Sequence, residues 1–296
     1  MGTVLKVLLA LAGFMILAGI FLILVAAIKY KIWTDSLPDS EPLFTPKTLH
    51  YSAGEVSSLV VEDHSAHIHL MPSEDGQIRI ELQEDETNPY RISLSDGKLE
   101  IKHPARRVAF RFLSINIHRE LYASKELFVY LPPSFGDTSI SGTNGDIHVK
   151  ELAFTNLSLT TVNGGISASH VQVSGTSSAS QVNFQAKTVN GGITIDQSGA
   201  ADGVVSLSTV NGGITFNGLL GQNISANTVS GSIKGVVSGN PEDYIIDSST
   251  INGRKEIPRS GHGPNLLKVK TVNGSIDVDI RPQSESASAT QSANGQ

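Results

Sequence analysis

The chain is 296 residues long, with 17% charged residues, 28 glycines and a formal net charge of −6. It has no cysteine, which excludes a lipidated-cysteine anchor, disulfides, thiolate catalysis and thiolate metal sites. Setting aside Lys6, Lys29 and Lys31 leaves 19 basic against 28 acidic side chains over residues 32–296, which argues against general binding to nucleic acid or anionic membranes.

Residues 7–28 form an uncharged apolar run of 22 positions, long enough to cross a bilayer as a helix. Lys6 precedes the run, Lys29 and Lys31 follow it, and Tyr30 and Trp33 stand as interface anchors. A cleaved signal peptide competes, with Val25-Ala26-Ala27 as its cleavage site, but the apolar core exceeds the usual signal length. We read residues 1–31 as an uncleaved transmembrane anchor, with the N-terminus inside and the C-terminal domain outside. Residues 32–55, with Pro38, Pro42 and Pro46, read as a stalk.

Residues 56–135 read as a β-rich region. Alternating segments at Ser58–Val61, His67–Leu70, Gln77–Leu82, Lys98–Ile101 and Glu126–Leu131 predict strands, with Asp75-Gly76 and Asp96-Gly97 as turns. No window of the soluble part has a helical period.

Residues 136–280 are a repeat. Thr-Val-Asn-Gly-Gly-Ile occurs verbatim from Thr161, Thr188 and Thr209, with near copies from Gly142, Thr228, Thr250 and Thr271. The seven corners centre on Gly145, Gly164, Gly191, Gly212, Gly231, Gly253 and Gly274, at steps of 19, 27, 21, 19, 22 and 21 residues. Counting from each Asn or Ser230, apolar residues recur six positions before (Leu157, Phe184, Val205, Ile224, Ile246, Leu267) and, apart from Ser248, four before (Leu159, Ala186, Leu207, Ala226, Val269), and an Ile recurs three after at Ile166, Ile193, Ile214, Ile233 and Ile276, the period of strands with one buried face. Asn-Gly is expected to supply a positive φ. A meander of hairpins and a parallel β-solenoid both fit. Only the solenoid rewards identical residues at identical places, by stacking them into ladders. The expected fold is all-β, a solenoid of about seven coils and about 34 Å. Asn144, Asn163, Asn190, Asn211, Ser230, Asn252 and Asn273 are its corner residues. Arg254 and Lys255 interrupt the pattern, so that coil is expected to carry a bulge or loop. Residues 281–296 read as a disordered tail.

Phe128-Val-Tyr-Leu-Pro132, leading into Asn144-Gly-Asp-Ile147 and the Thr-Val-Asn-Gly-Gly-Ile copies, resembles a bacterial β-strand-repeat family of unknown function labelled "putative adhesin". The resemblance covers about residues 55–280. It implies a membrane-anchored protein of the bacterial cell envelope, encoded beside envelope-stress regulators. It carries no catalytic residues over to this chain.

Three constellations are candidates for chemistry. His67 and His69 share a strand face and could grip a metal if Asp63 or His64 joined them, but their spacing also suits a solvated polar face, and no metal is expected. Asp146, Asp196, Asp277 and Asp279 could serve a carbohydrate-active β-helix enzyme, which needs acids about 5 to 9.5 Å apart. They do not recur at one coil position, and no serine-nucleophile elbow appears. Arg106, Arg107, Phe110, Arg111 and Phe112 form a basic, aromatic segment in an acidic domain, suited to anionic polymer or headgroups; the competing reading is an edge whose charges block pairing. The expected function is a non-enzymatic, adhesin-like binding or scaffold protein without cofactor, whose partners are the membrane and a wall polymer or envelope protein.

Overall fold

The computed structural model describes residues 44–85, 88–104, 109–112, 115–118, 125–174 and 183–282. The expected anchor over residues 7–28 and most of the expected tail lie outside the described residues. Among the described residues, no helix is long and apolar enough to cross a membrane.

The described chain is nearly all strand, with 3-10 turns at Ala53–Glu55 and Pro241–Asp243. Each repeat runs along one face, turns at the Asn-Gly corner and returns along a second. The first face stacks Asp137–Gly142, Leu157–Thr160, Phe184–Lys187, Gly199–Ser208 and the end of Ile214–Asn227, all parallel. The second stacks Ile147–Lys150, Ile166–Ser169, Ile193–Asp196, the start of Ile214–Asn227, and Ile233–Ser238, again parallel. Short strands at Ser134–Phe135, Ala153–Phe154 and Gln172–Val173 make a third face. The sheet is open and mixed, and its parallel coils form a solenoid. The hairpin meander is thereby excluded.

Strand alternation sends every second side chain inward. Ile147, Ile166, Ile193, Ile214, Ile233 and Ile276 form one buried row, and Leu159, Ala186, Leu207, Ala226 and Val269 form another. Burying such rows is the main favourable term of the fold.

The corners hold the coils together in a way that corrects one expectation. None of the seven corner glycines has a positive φ. Glycine is needed there for close approach. A Cβ at Gly164, Gly191, Gly212 or Gly231 would overlap the carbonyl oxygen of the corner glycine one coil back. That carbonyl receives the threonine hydroxyl of the following coil: Thr161 to Gly145 at 3.0 Å, Thr188 to Gly164 and Thr209 to Gly191 at 2.8 Å. Outside, the Asn side chains form an amide ladder, Asn163 to Asn144 and Asn190 to Asn163 at 2.7 Å, Asn211 to Asn190 at 2.8 Å. The second glycine of the motif has room, so Ser232 and Ser275 can replace it.

Two features depart from a simple reading along the chain. The last two coils stack out of sequence order. Asn265–Lys270 and Ile276–Arg281 pair directly with Ile214–Asn227 and Ile233–Ser238, and the earlier coil, Tyr244–Ser249 with Lys255–Glu256, sits outside them. Residues 56–135 are also continuous with the solenoid. Ser58–Asp63 and Ala66–Pro72 form a coil beneath the Gly145 coil, and Lys98–Lys102 with Lys125–Leu131 form another beneath that. The stalk ends earlier than its composition suggests, because Phe44–Tyr51 pairs antiparallel with Ile78–Asp85. Pro46 is tolerated there because the strand lies at the sheet edge.

The corner geometry separates two adjacent glycines. Gly191→Ala forces a Cβ into the Gly164 carbonyl, and should cost about 1–3 kcal/mol or more. Gly192→Ala meets nothing nearer than the Gly213 carbonyl oxygen at 3.5 Å, and should stay within about 0.5 kcal/mol of wild type. Thermal melts of the two variants check this; equal losses would refute the close-approach account.

Candidate functional site

In the coil of Lys98–Lys102 and Lys125–Leu131, the corner is replaced by an insertion running from His103 to Ser124. It carries an antiparallel hairpin, Ala109–Phe112 against Ile115–His118, in the register Phe110 to Ile117, Arg111 to Asn116 and Phe112 to Ile115. The basic, aromatic segment therefore belongs to this insertion. Phe110, Arg111 and Phe112 lie on the hairpin's first strand; Arg106 and Arg107 lie outside the described residues.

A buried polar cluster sits where the insertion leaves the stack. Asp63 is 2% exposed. Its Oδ1 accepts the N–H groups of Ser65 and Ala66, and its Oδ2 accepts the Tyr90 hydroxyl at 2.6 Å. Asp63 thus makes the turn of a coil that lacks Asn-Gly. The Tyr90 ring packs 4.6 Å from the His103 ring, and Lys125 Nζ lies 3.3 Å from His103 Nε2. Burial and the Asp63 charge push the Tyr90 hydroxyl far above its ordinary value. His103 begins the insertion and Lys125 follows it, so the cluster pins both of its ends. Periodicity gave no sign of this group, because Lys125 and His103 belong to no repeat.

His67 and His69 share an outer face as expected, but Asp63 is turned to Tyr90 and the backbone. His69 donates to Glu126 at 2.6 Å and stacks between Phe128, at 4.7 Å, and His148, at 5.0 Å. His67 lies 3.4 Å from the Asp146 carboxylate. Among the described residues, no three His or acidic side chains converge on a metal position.

Of the candidate catalytic acids, Asp277 and Asp279 stand two residues apart on one strand, and Asp146 and Asp196 lie in other coils. Asp146 accepts the Gly165 N–H at 2.7 Å, Asp196 accepts the Asn217 amide at 3.0 Å, and Asp279 pairs with Arg281 at 2.7 Å. Asp196 and Asp279 occupy one row, but Asn217 and Val236 lie between them, a separation of about 14 Å at the strand spacing.

The sequence profile of the Toastrack DUF4097 family matches residues 56–295. This chain belongs to that family. A search of curated proteins finds no match. Among solved structures, it is similar to a "putative adhesin" of Bacteroides fragilis at 13% identity, with a TM-score of 0.46, over 80% of this chain and 98% of that one. It is also similar to two proteins of Parabacteroides distasonis. One, a "putative adhesin", has 12% identity and a TM-score of 0.43, over 81% of this chain and 98% of that one. The other, a "putative lipid binding protein", has 12% identity and a TM-score of 0.38, over 80% and 96%.

In this Toastrack DUF4097 chain, two histidines make stability depend on pH. Burial lowers His148, aided by the His69 charge and opposed by Asp146. Burial also lowers His103, opposed by Asp63 and aided by Lys125. As pH falls through about 6.5, the unfolded chain takes up protons that these folded-state imidazoles refuse, so stability falls. The melting temperature should drop between about pH 7.5 and 5.5, and His148→Gln should flatten part of that slope. Parallel slopes for variant and wild type would remove His148 from the account.

Proposed function

We propose that this chain is a non-enzymatic binding or scaffold protein of the bacterial cell envelope. In this reading the helix over residues 7–28 tethers it, the coils stand on the extracytoplasmic side, and the insertion presents Arg106, Arg107 and Arg111 to anionic wall polymer. The observation that carries it is the placement of the basic segment. Phe110–Phe112 lies in the insertion that replaces the corner of the Lys98–Lys102 coil, at an end of the parallel stack, and the base of the insertion is pinned by Asp63, Tyr90, His103 and Lys125. The stack suits spacing and surface contact, since its repeated polar groups are consumed in bonds between coils. A link to envelope-stress control rests on the family resemblance alone. Of the acids that a carbohydrate-active enzyme would need, Asp146 and Asp196 are engaged in bonds between coils.

Binding should be weak, salt-sensitive and local, because a basic island on an acidic body acts within a Debye length of about 8 Å. The full chain, reconstituted in zwitterionic vesicles, should co-sediment with purified cell wall at low salt and release at high salt. Replacing Arg106, Arg107 and Arg111 with Ser should abolish co-sedimentation and leave the melting temperature near wild type, as expected of charges that serve binding and not the fold. Equal sedimentation of wild type and variant would reduce the segment to edge protection. The tether has its own check. Mass analysis of the mature protein should find residues before Ala27, whereas a mature N-terminus at Ile28 would make the segment a signal peptide.

A further inference from the structure

Each of the six corners after the one at Gly145, which has Thr143 in this place, carries one residue that the fold does not consume. In Thr-Val-Asn-Gly the threonine satisfies a carbonyl, the asparagine joins the amide ladder and the glycine admits the neighbouring coil. The aliphatic residue between threonine and asparagine does none of these. In stacking order these residues are Val162, Val189, Val210, Val229, Val272 and Ile251, an order fixed by backbone hydrogen bonds of 2.7–2.8 Å from the residue after each to the carbonyl of the one before. Val162, Val210, Val229 and Ile251 are 37%, 39%, 43% and 75% exposed; Val189 and Val272 are half-buried. The row runs about 24 Å at the strand spacing.

Ladder stacking alone does not require aliphatic side chains there. On the outer side of the first face, the equivalent places hold Ser158, Gln185, Ser206, Ser225 and Lys268. Five of these corners are also free of charge, since Thr161–Gly165, Thr188–Gly192, Thr209–Gly213, Thr228–Ser232 and Thr271–Ser275 contain no ionisable residue; the outermost, at Ile251, is followed by Arg254, which pairs with Glu256 at 2.9 Å. A contiguous apolar row on a surface is a signature of contact.

We propose that this strip is a self-association surface, on which two copies of the chain lie side by side with their corner rows packed together. A row of near-identical side chains at strand pitch is matched along its whole length only by another row of the same pitch, and a second copy supplies one. Charge favours the same partner. The protein carries a net charge of −6, so copies repel over most of their surface, and the neutral strip is where they meet without opposing like charges. Six aliphatic side chains are a narrow contact beside the roughly 800 Å² per partner of a standard interface, so the pairing is weak and reversible.

The chain has no cysteine, so single cysteines report on this directly. The full chain is prepared with Val210→Cys, as a mixture of Val210→Cys and Val229→Cys chains, and with Ser206→Cys or Thr194→Cys on the two outer faces as controls. Mild oxidation should give covalent dimer in the corner samples and not in the controls. Dimer from Val210→Cys alone means rows aligned in the same direction; dimer only between Val210→Cys and Val229→Cys means opposite directions. Either supports the proposal. Adding Val162→Thr, Val189→Thr, Val272→Thr and Ile251→Thr keeps the β-branched ladder, and should remove the cross-link while the cooperative melt persists. Corner dimer no more abundant than in the controls, or unchanged by the threonines, overturns the proposal. So does a blue shift of an environment-sensitive dye on Val210→Cys with zwitterionic vesicles in the absence of dimer, which assigns the strip to lipid.

Discussion

The structure depends on one close approach, the carbonyl of each corner glycine lying against the Cα of the next coil's glycine. No side chain fits between them, so the position admits glycine only, at six corners of the stack, and at the seventh Gly145 lies in the same way against the Ala66 carbonyl. The approach would strand a buried carbonyl, and the threonine hydroxyl removes that cost, since a buried backbone acceptor left unpaired is expensive. Glycine and threonine therefore form one device split across two coils. The Asn ladder beside it is solvent-exposed and fixes register more than it adds stability. Its gap at Ser230 is tolerated because the corner below it persists, with Thr228 donating to Gly212 at 2.8 Å and Thr271 to Gly231 at 2.9 Å.

This dependence explains where the chain can vary. The 27-residue step from Gly164 to Gly191 carries its extra length between Ser174 and Asn183, away from the glycine corner. An insertion at a middle corner would break the glycine contact with the coils on both sides. The coil of Lys98–Lys102 and Lys125–Leu131 stacks in parallel on only one coil, and that neighbour has no corner glycine contact with it to lose. That neighbour, the Ala66 coil, turns on an Asp63 carboxylate that accepts two backbone N–H groups. The long insertion stands where the ladder can spare a corner.

Much of the fold was legible because the repeat writes its own register. The threonine, asparagine and glycine columns predicted parallel stacking, and the isoleucine and leucine columns predicted the core. The role of glycine was misread because Asn-Gly is a hairpin-turn signature, and nothing local distinguishes a glycine required for φ from one required for approach. The order of the last two coils was invisible, since each carries the same motif and either could stack first. The coils before the repeat were hidden for the opposite reason: they share the backbone path without the motif. The basic segment could be singled out by composition, yet its base could not, because Asp63, Tyr90, His103 and Lys125 are brought together only by the stacking of strands far apart in sequence.

The two ends of the stack bear on how copies of this chain can meet. A parallel coil stack invites end-to-end growth, since its last strand offers unpaired backbone groups. At the C-terminal end, the Gly261 N–H donates to the Tyr244 carbonyl at 2.8 Å and Ser260 Oγ accepts the Ile246 N–H at 3.0 Å, so the loop after Glu256 covers the outer edge of Tyr244–Ser249. At the other end, the short strand Arg91–Ser95 and the proline-bearing strand Phe44–Tyr51 add antiparallel edges that do not continue the parallel coil. The inverted order of the last two coils serves the same purpose. A coil that is followed in sequence by its own inner neighbour keeps a connecting loop at the edge, and that loop becomes the cover. Blocked ends leave the sides of the stack for contact, and the aliphatic corner row is the side whose pitch a second copy can match.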